Sequence, residues 1–344
     1  MSKNIGKKAK ITLIVIGCFL ALLILAYCIT VAYLMIPVAD YYSASERTFL
    51  IPDLSKGFIP QGFCYDENTA KFLVSGYFSN DKPSAVYVVN KDDKKASIKV
   101  NLATKEGEPF YGHAGGVALY EDWVYIAGSS DYCIYVYSYS EILNSSYGDS
   151  IKSIGEFSLE NNKNDKVKAS FVSTNGKSLV VGEYYSEPKY KTVESHKVTI
   201  DSGEFFGGIA VEFNLSKDCE FGIEALPTKA YSLPEKVQGI LFVENDVYLS
   251  TSSGMEFSHI YQYDYTSLVK EDIELLGESL PLYVFSKKAM TYDYKVATMS
   301  EEMVYLDDKL YIMCEAASNK HFHGKLTFSY WCYAVDLEKM QSKK

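Results

Sequence analysis

The sequence predicts an all-β fold of the β-propeller class, preceded by one transmembrane helix, on three observations. Short runs that alternate apolar and polar residues recur along the chain, as at residues 86–89, 124–127 and 310–313, and acidic or Asn-containing turns separate them. One start motif recurs at a spacing of roughly 60 residues, the length of a blade of four short strands. An uncharged apolar run stands near the N-terminus.

The apolar run predicts an uncleaved membrane anchor. Residues 11–36 carry no charge, and a helix needs roughly 20 apolar residues to cross the hydrocarbon core. The residues before it carry only basic charges, which favour a cytoplasmic N-terminus: Lys3, Lys7, Lys8 and Lys10. We therefore predict a cytoplasmic segment 1–10, a transmembrane helix 11–36, a short linker 37–46 and an extracellular propeller 47–340. This describes a single-pass protein of the plasma membrane.

Two other interpretations of the same run fit it less well. A cleaved signal peptide has an apolar core of roughly 7–15 residues and a small-residue cleavage site. The run in this chain is longer, and Val38-Ala39-Asp40 is a poor cleavage site. The residues Val15-Ile16-Gly17-Cys18 resemble a lipoprotein signal, but the chain stays apolar well beyond Cys18.

Charge and cysteine content narrow the class of partner. The chain has 34 basic and 44 acidic residues, a net charge of −10, and such a surface repels nucleic acid and anionic lipid headgroups. No C-x-x-C spacing occurs among the cysteines, which argues against a zinc site. A disulfide between Cys314 and Cys332, across neighbouring strands, stays open.

The start motif predicts the number of blades. Its copies are Gln61-Gly62-Phe63, Gly115-Gly116-Val117, Ser170-Phe171-Val172, Gln238-Gly239-Ile240 and Glu301-Glu302-Met303. Five copies indicate five blades, and a sixth would have to lie in residues 184–206 or 264–298. Residues 47–54 are expected to supply a strand that closes the ring with the last blade. A β-sandwich or two β domains would not explain the recurring motif. Residues 141–145 and 267–276 are the best short helix candidates, with a loop as the alternative for each.

A propeller would bring the start-motif residues together at one end of its central channel. The innermost strands line that channel, so we predict a ligand site formed by Gln61, His113, Glu183, Gln238, Glu301 and Glu302. Ser170 belongs to the same ring, and Ser75, Ser250 and Glu315 would form a second layer. Carboxylate and amide oxygens suit Ca²⁺, which is a candidate cofactor in the channel. Imidazole and carboxyl groups suit acid–base chemistry, with His113, Glu302 and Glu315 as catalytic candidates. Polar channel residues that only bond to backbone and water are the alternative.

Several of these motifs together resemble an uncharacterised group of exported bacterial β-propeller proteins. The resemblance rests on residues 60–63, 113–117, 236–240 with 250–254, and 299–302 with 314–317. It implies a propeller outside the cytoplasm and implies no reaction. More distantly, Ile59-Pro60-Gln61-Gly62-Phe63 is similar to the repeat start of glutaminyl cyclotransferases, which are five-bladed propellers; the acid groups of such a cyclase have no counterparts that can be placed in this sequence.

Two functions are consistent with the sequence. The first is a ligand-binding or scaffold module at the cell surface, with a wall polymer, a peptide or a protein as its partner. The second is an extracytoplasmic hydrolase, lactonase or cyclotransferase with a carboxylate and histidine site in the central channel. The sequence has no G-x-S-x-G, phosphate-binding loop, H-E-x-x-H or EF-hand motif.

Overall fold

A long apolar helix precedes the propeller. The computed structural model describes residues 6–129, 131–161, 165–321 and 323–342. The helix Lys7–Met35 is, within these ranges, the one long and apolar enough to cross a membrane. The apolar side chains of residues 11–30 are exposed.

Five blades follow, as the repeat predicts. Each has four antiparallel strands, named from the innermost to the outermost. Blade 1 comprises Phe58–Asp66, Lys71–Phe78, Ala85–Asn90 and Ala96–Ala103. Blade 2 comprises Ala114–Tyr120, Trp123–Gly128, Cys133–Ser138 and Gly155–Ser158. Blade 3 comprises Phe171–Thr174, Ser178–Gly182, Gly208–Leu215 and Ile223–Leu233. Blade 4 comprises Val237–Val243, Asp246–Thr251, Ser258–Asp264 and Met290–Val296. Blade 5 comprises Ser300–Leu306, Lys309–Cys314, Trp331–Val335 and Ser45–Leu50.

The two segments in which a sixth blade could lie, residues 184–206 and 264–298, belong instead to the five blades. Residues 184–206 form a long connection in blade 3 that contains a two-stranded ribbon, Val198–Thr199 with Phe205–Phe206. Residues 264–298 supply the outermost strand of blade 4 and a hairpin, Val269–Leu275 and Glu278–Val284, which adds to the edge of blade 3. The helix prediction at 267–276 is therefore wrong. A strand Asp149–Lys152 similarly extends blade 1 in parallel.

Short helices occupy several connections. The prediction at 141–145 is met by a helix at Tyr139–Asn144, which Ser138 caps by accepting from the Glu141 N–H. The remaining α-helices are Ala39–Ser43 and Leu337–Gln341. Single 3₁₀ turns occur at Ile36–Val38, Leu54–Lys56, Glu194–His196, Glu220–Gly222, Tyr265–Ser267 and His323–Lys325.

The N-terminal strand closes the ring. Ser45 pairs with Val335 and Leu50 with Trp331, so the chain's first strand is the outermost strand of its last blade. This confirms the closing strand predicted near residues 47–54. Large aromatic side chains seal the seam between blades 5 and 1, where Phe72 packs on Phe49 and Tyr311 with ring centroids 5.3 and 5.5 Å apart.

The segment predicted as a linker packs against the propeller. Residues 37–46 contain the end of the Ile36–Val38 turn, the helix Ala39–Ser43 and the start of the closing strand. Val38, Tyr41 and Ala44 are buried in the core between blades 4 and 5. Apolar side chains at these positions gain about 25 cal/mol for each Å² removed from water, so this connection is fixed rather than free.

The propeller has two unlike faces. Because adjacent strands are antiparallel, the innermost strands start on the same face where the second strands end; we call this the mouth face. On the opposite, distal face, the turns between the first and second strands are acidic in four of the blades: Glu67; Glu121 and Asp122; Glu244; and Asp307 and Asp308.

Candidate functional site

A buried carboxylate on the propeller axis joins the innermost strands. Glu302 Oε2 accepts hydrogen bonds from the backbone N–H groups of Phe63 and Val117, both at 2.9 Å. Its Oε1 accepts from the Val172 N–H at 3.0 Å. These donors belong to blades 1, 2 and 3, whereas Glu302 belongs to blade 5. The carboxylate therefore fastens strands that are far apart in sequence.

Glycines make room for that carboxylate. A Cβ at Gly116 would lie 1.8 Å from Glu302 Oε1, and a Cβ at Gly239 would lie 3.0 Å from Glu302 Cα. Both glycines occupy the position in their own start motif that Glu302 occupies in blade 5. Pairing with the second strand also shifts at this point in four innermost strands, since each has a β-bulge there. The start motif is thus the point where backbones converge on the axis.

Glu302 divides the central channel. On its distal side lies a cavity of about 330 Å³ whose wall includes Phe63, Val117, Val172 and Met303. On its other side lie the start-motif residues of the mouth. Burial raises the pKa of Glu302 to about 8, and the three backbone donors oppose that rise. Because both oxygens already bond to backbone, we assign Glu302 to holding the ring together.

Three blades contribute to one hydrogen-bonded chain at the mouth. Gln61 Nε2 donates to Glu315 Oε2 at 3.0 Å and to the Pro60 carbonyl at 2.9 Å. These two bonds fix the orientation of the Gln61 amide, and its Oε1 can only accept a hydrogen bond. His113 Nε2 lies 2.5 Å from this oxygen. His113 therefore carries its proton on Nε2. Burial lowers the pKa of His113 to about 4, so the imidazole is neutral at physiological pH.

An aromatic ring and a lysine border this chain. The ring of Tyr77 packs on His113 with centroids 4.2 Å apart, and Lys320 Nζ donates to the Tyr77 hydroxyl at 2.7 Å. His321 Nε2 lies 3.4 Å from Glu315 Oε1. The mouth thus combines a carboxylate, a neutral imidazole, an ammonium group and an aromatic face.

Glu301 is a buried acid beside this chain. Its side chain is 2% exposed, and Oε1 has no hydrogen-bond partner among the described residues. Burial raises the pKa of Glu301 well above its usual range, and the nearby charges of Glu315 and Glu302 raise it further. The carboxyl group therefore holds its proton more strongly than an ordinary glutamic acid, and in the protonated form it is a hydrogen-bond donor.

Blade 4 completes the mouth with Gln238. Its Nε2 donates to Ser252 Oγ at 3.3 Å, and the Tyr184 hydroxyl of blade 3 donates to the Ser252 carbonyl at 3.1 Å. Ser170 and Ser75 also lie on this face: the Ser170 N–H donates to the Gly182 carbonyl, and Ser75 Oγ donates to the Gly115 carbonyl.

Glu183 belongs to a separate cluster. Its Oε2 lies 3.0 Å from His196 Nδ1, and Asp165 Oδ1 lies 3.3 Å from His196 Nε2. Burial lowers the pKa of His196, but the contacts with Glu183 and Asp165 outweigh burial and raise it overall. The histidine ties the long connection of blade 3 to the segment before its innermost strand. No sequence pattern indicated this contact, because the three residues lie in different irregular segments.

The described residues contain no group of three or more His, Cys, Asp or Glu side chains arranged to hold a metal ion. Ca²⁺ in the channel stays a prediction. Cys314 and Cys332, considered as a disulfide, both carry free thiols and are buried.

No known protein family and no curated protein matches the sequence. Solved structures that resemble it distantly include glutaminyl cyclase from Myxococcus xanthus, at 8% identity and a TM-score of 0.43, over 85% of this chain and 94% of that one. The PQQ-bound aldose sugar dehydrogenase of Streptomyces coelicolor aligns at 13% identity and a TM-score of 0.44, over 80% of this chain and 92% of that one. Hydrazine synthase from Kuenenia stuttgartiensis aligns at 9% identity and a TM-score of 0.35 over 74% of this chain, which spans 55% of that one. The chain is a five-bladed β-propeller with a long apolar N-terminal helix.

Proposed function

We propose that this protein is anchored by its N-terminal helix, with its N-terminus in the cytoplasm, and that its extracellular propeller binds a polar ligand at the mouth. The anchor is supported by the length of the apolar helix and the lysines before it. It is also supported by the buried residues Val38, Tyr41 and Ala44, which make the segment after the helix part of the propeller.

The network at the mouth carries the binding proposal. Gln61, His113 and Glu315 come from blades 1, 2 and 5, and their bonds fix them before any ligand arrives. Beside them, the buried Glu301, whose pKa is raised, has an oxygen without a partner in the described chain. A buried polar group without a partner is costly, so a ligand that bonds to it gains free energy. Carboxyl groups, imidazole and tyrosines together suit a ligand with hydroxyl and amide groups, such as a wall polymer.

A sedimentation assay tests this binding. The full-length protein in detergent is mixed with insoluble purified cell-wall polymer and centrifuged. We expect the wild type to sediment with the polymer and Glu315→Gln to bind about tenfold more weakly, a loss of about 1.4 kcal/mol. Asp308→Asn is the matched control, since it also neutralises a carboxylate of blade 5 but on the exposed distal turn. Equal sedimentation of both variants would exclude the mouth as the binding site.

Fractionation tests the anchor. The intact mass of the protein isolated from cells distinguishes an uncleaved helix from a removed signal peptide. We expect the full-length mass in the membrane fraction, resistant to alkaline carbonate. A shorter, soluble product would contradict the anchor and leave the binding assay valid.

An extracytoplasmic hydrolase, lactonase or cyclotransferase is the second candidate. The observation that favours it is a neutral imidazole, His113, joined through Gln61 to the carboxyl group of Glu315, a combination suited to proton transfer. Turnover of lactones or of peptides with an N-terminal glutamine, lost in His113→Ala and retained in Asp308→Asn, would support this function. If the wild type turns over neither substrate, the enzyme hypothesis is contradicted and the binding module stays the proposed function.

A further inference from the structure

The long helix leaves the propeller at the mouth face. Tyr33 and Leu34, at its C-terminal end, line a cavity of about 960 Å³ together with Met255 and Phe257, which lie in the mouth-face connection of blade 4. From this point the segment after the helix runs between blades 4 and 5 to the distal end, where Ser45 starts the closing strand. The C-terminal end of the helix therefore lies on the mouth side of the propeller.

No polar spacer separates the apolar helix from that face. The uncharged run extends to Ile36, whose side chain is 70% exposed, whereas Leu34, two residues earlier, is already packed against the propeller at 7%. Tyr33 is 75% exposed, and tyrosine favours the boundary between hydrocarbon and water. If the helix spans a bilayer, the edge of the hydrocarbon core lies at the level of the mouth face.

Of the twelve large apolar side chains that are exposed in the described chain after residue 36, six lie on this face. Large apolar residues there are turned to solvent, Met255 by 66% and Tyr111 by 63%; the others are Leu50, Tyr190, Phe205 and Phe328. The other six are spread over the rest of the propeller, for example Leu226 on an outermost strand, Tyr147 in a connection and Tyr305 at the distal end of an innermost strand. The distal turns are acidic, whereas the mouth-face connections carry acids and lysines together, as at Glu187, Lys189, Glu194 and Lys197. Exposed apolar groups that share one face mark an interaction surface.

We propose that the rim of the mouth face, at the connections that carry Met255 and Tyr111, rests on the outer leaflet of the membrane crossed by the helix, and that the ligand of the proposed function reaches the central network from the side, between this rim and the bilayer. This inference rests on the proposed anchor. Aromatic rings and Met255 enter the interfacial layer, where partly apolar side chains are stabilised. The acidic distal turns lie at the far end, where repulsion from anionic headgroups is screened within about 10 Å.

Quenching of tryptophan fluorescence by brominated lipids tests this contact. The full-length protein is reconstituted in phosphatidylcholine and phosphatidylglycerol vesicles, with bromines near the headgroup end of the acyl chains. Tryptophan is introduced by Met255→Trp or Tyr111→Trp on the mouth face, and by Tyr305→Trp beside the distal turn of blade 5. The wild-type emission is subtracted. We expect at least about a twofold loss of the added emission at both mouth-face positions and no loss at the distal one.

The two mouth-face positions make the test independent of a single variant. Tyr111 belongs to the connection between blades 1 and 2, whereas Met255 adjoins the helix end. Quenching at neither position, or at Met255 alone, would overturn contact along this rim. Flotation of the vesicles after an alkaline carbonate wash tests the membrane anchor independently of the contact between the mouth face and the bilayer. Protein that floats without quenching contradicts only the contact, and protein that washes off contradicts the anchor.

Discussion

Replacing Glu302 by glutamine isolates the contribution of the axial carboxylate to stability. The amide keeps one oxygen for the N–H groups of Phe63 and Val117, but it turns an NH₂ group towards the Val172 N–H, where Oε1 now accepts. A buried donor left without an acceptor costs about 1–3 kcal/mol. For a domain of this size, we expect the melting temperature to fall by about 2 °C for each kcal/mol, that is, by about 2–6 °C.

The pH dependence of the effect follows from the pKa of Glu302. Burial raises that pKa from 4.5 to about 8, so the folded state favours the protonated acid. The stabilisation from this proton is complete below pH 4.5 and is lost as pH rises through 8. Glutamine does not titrate. The deficit of Glu302→Gln should therefore be largest near pH 5 and should shrink towards pH 8.

Thermal unfolding followed by tryptophan fluorescence in detergent measures both effects. Glu301→Gln is the matched control, because Glu301 is the adjacent residue, is buried like Glu302 and also has a raised pKa, and its Oε1 has no hydrogen-bond partner among the described residues. We expect the control to melt within about 2 °C of the wild type at pH 5. Equal melting temperatures for the two variants would refute a role of Glu302 in fastening the blades.

Three further predictions rest on the same contacts. Gly116→Ala should destabilise the propeller by at least as much as Glu302→Gln, because its Cβ would lie 1.8 Å from Glu302 Oε1, and the same melting assay checks this. Bound Ca²⁺ in the channel should raise the melting temperature as its concentration rises to the millimolar range, and an unchanged melting temperature would contradict the predicted calcium site. The raised pKa of His196 gives stability that is complete below its unfolded value of 6.5 and is lost as pH rises through the folded value. Hydrogen exchange in residues 184–206 should therefore quicken with pH, beyond its intrinsic pH dependence, in the wild type and not in His196→Gln.

The blades were predictable because the same backbone geometry is required at the start of each innermost strand. Its backbone must turn onto a crowded axis, which requires a bulge and favours a small residue, and Gly62, Gly116 and Gly239 record that need in the sequence. The strands and turns around them follow local patterns of alternation and turn chemistry. The closing strand was also predictable, because the first and last blades of a ring are joined when one end of the chain supplies a strand to the blade at the other end.

Other features depend on contacts that local patterns do not encode. The strand Val269–Leu275 was predicted as a helix, and it is a strand because it pairs with Glu278–Val284 at the edge of blade 3. The role of Glu302 follows only once blades 1, 2 and 3 present their N–H groups to it. Glu183 was grouped with the mouth by its place in the repeat, but its carboxylate faces His196.

The closing strand also sets an order of events during synthesis. Ser45–Leu50 emerges from the ribosome directly after the long helix, whereas its partner Trp331–Val335 is made last. Until then the first strand has an open edge, and edges of this kind pair readily with other chains. A product truncated before Trp331 lacks the strand that pairs with Ser45–Leu50, so the first strand keeps an open edge that can pair with a neighbouring chain. Synthesis of Trp331–Val335 is thus the step that covers this edge.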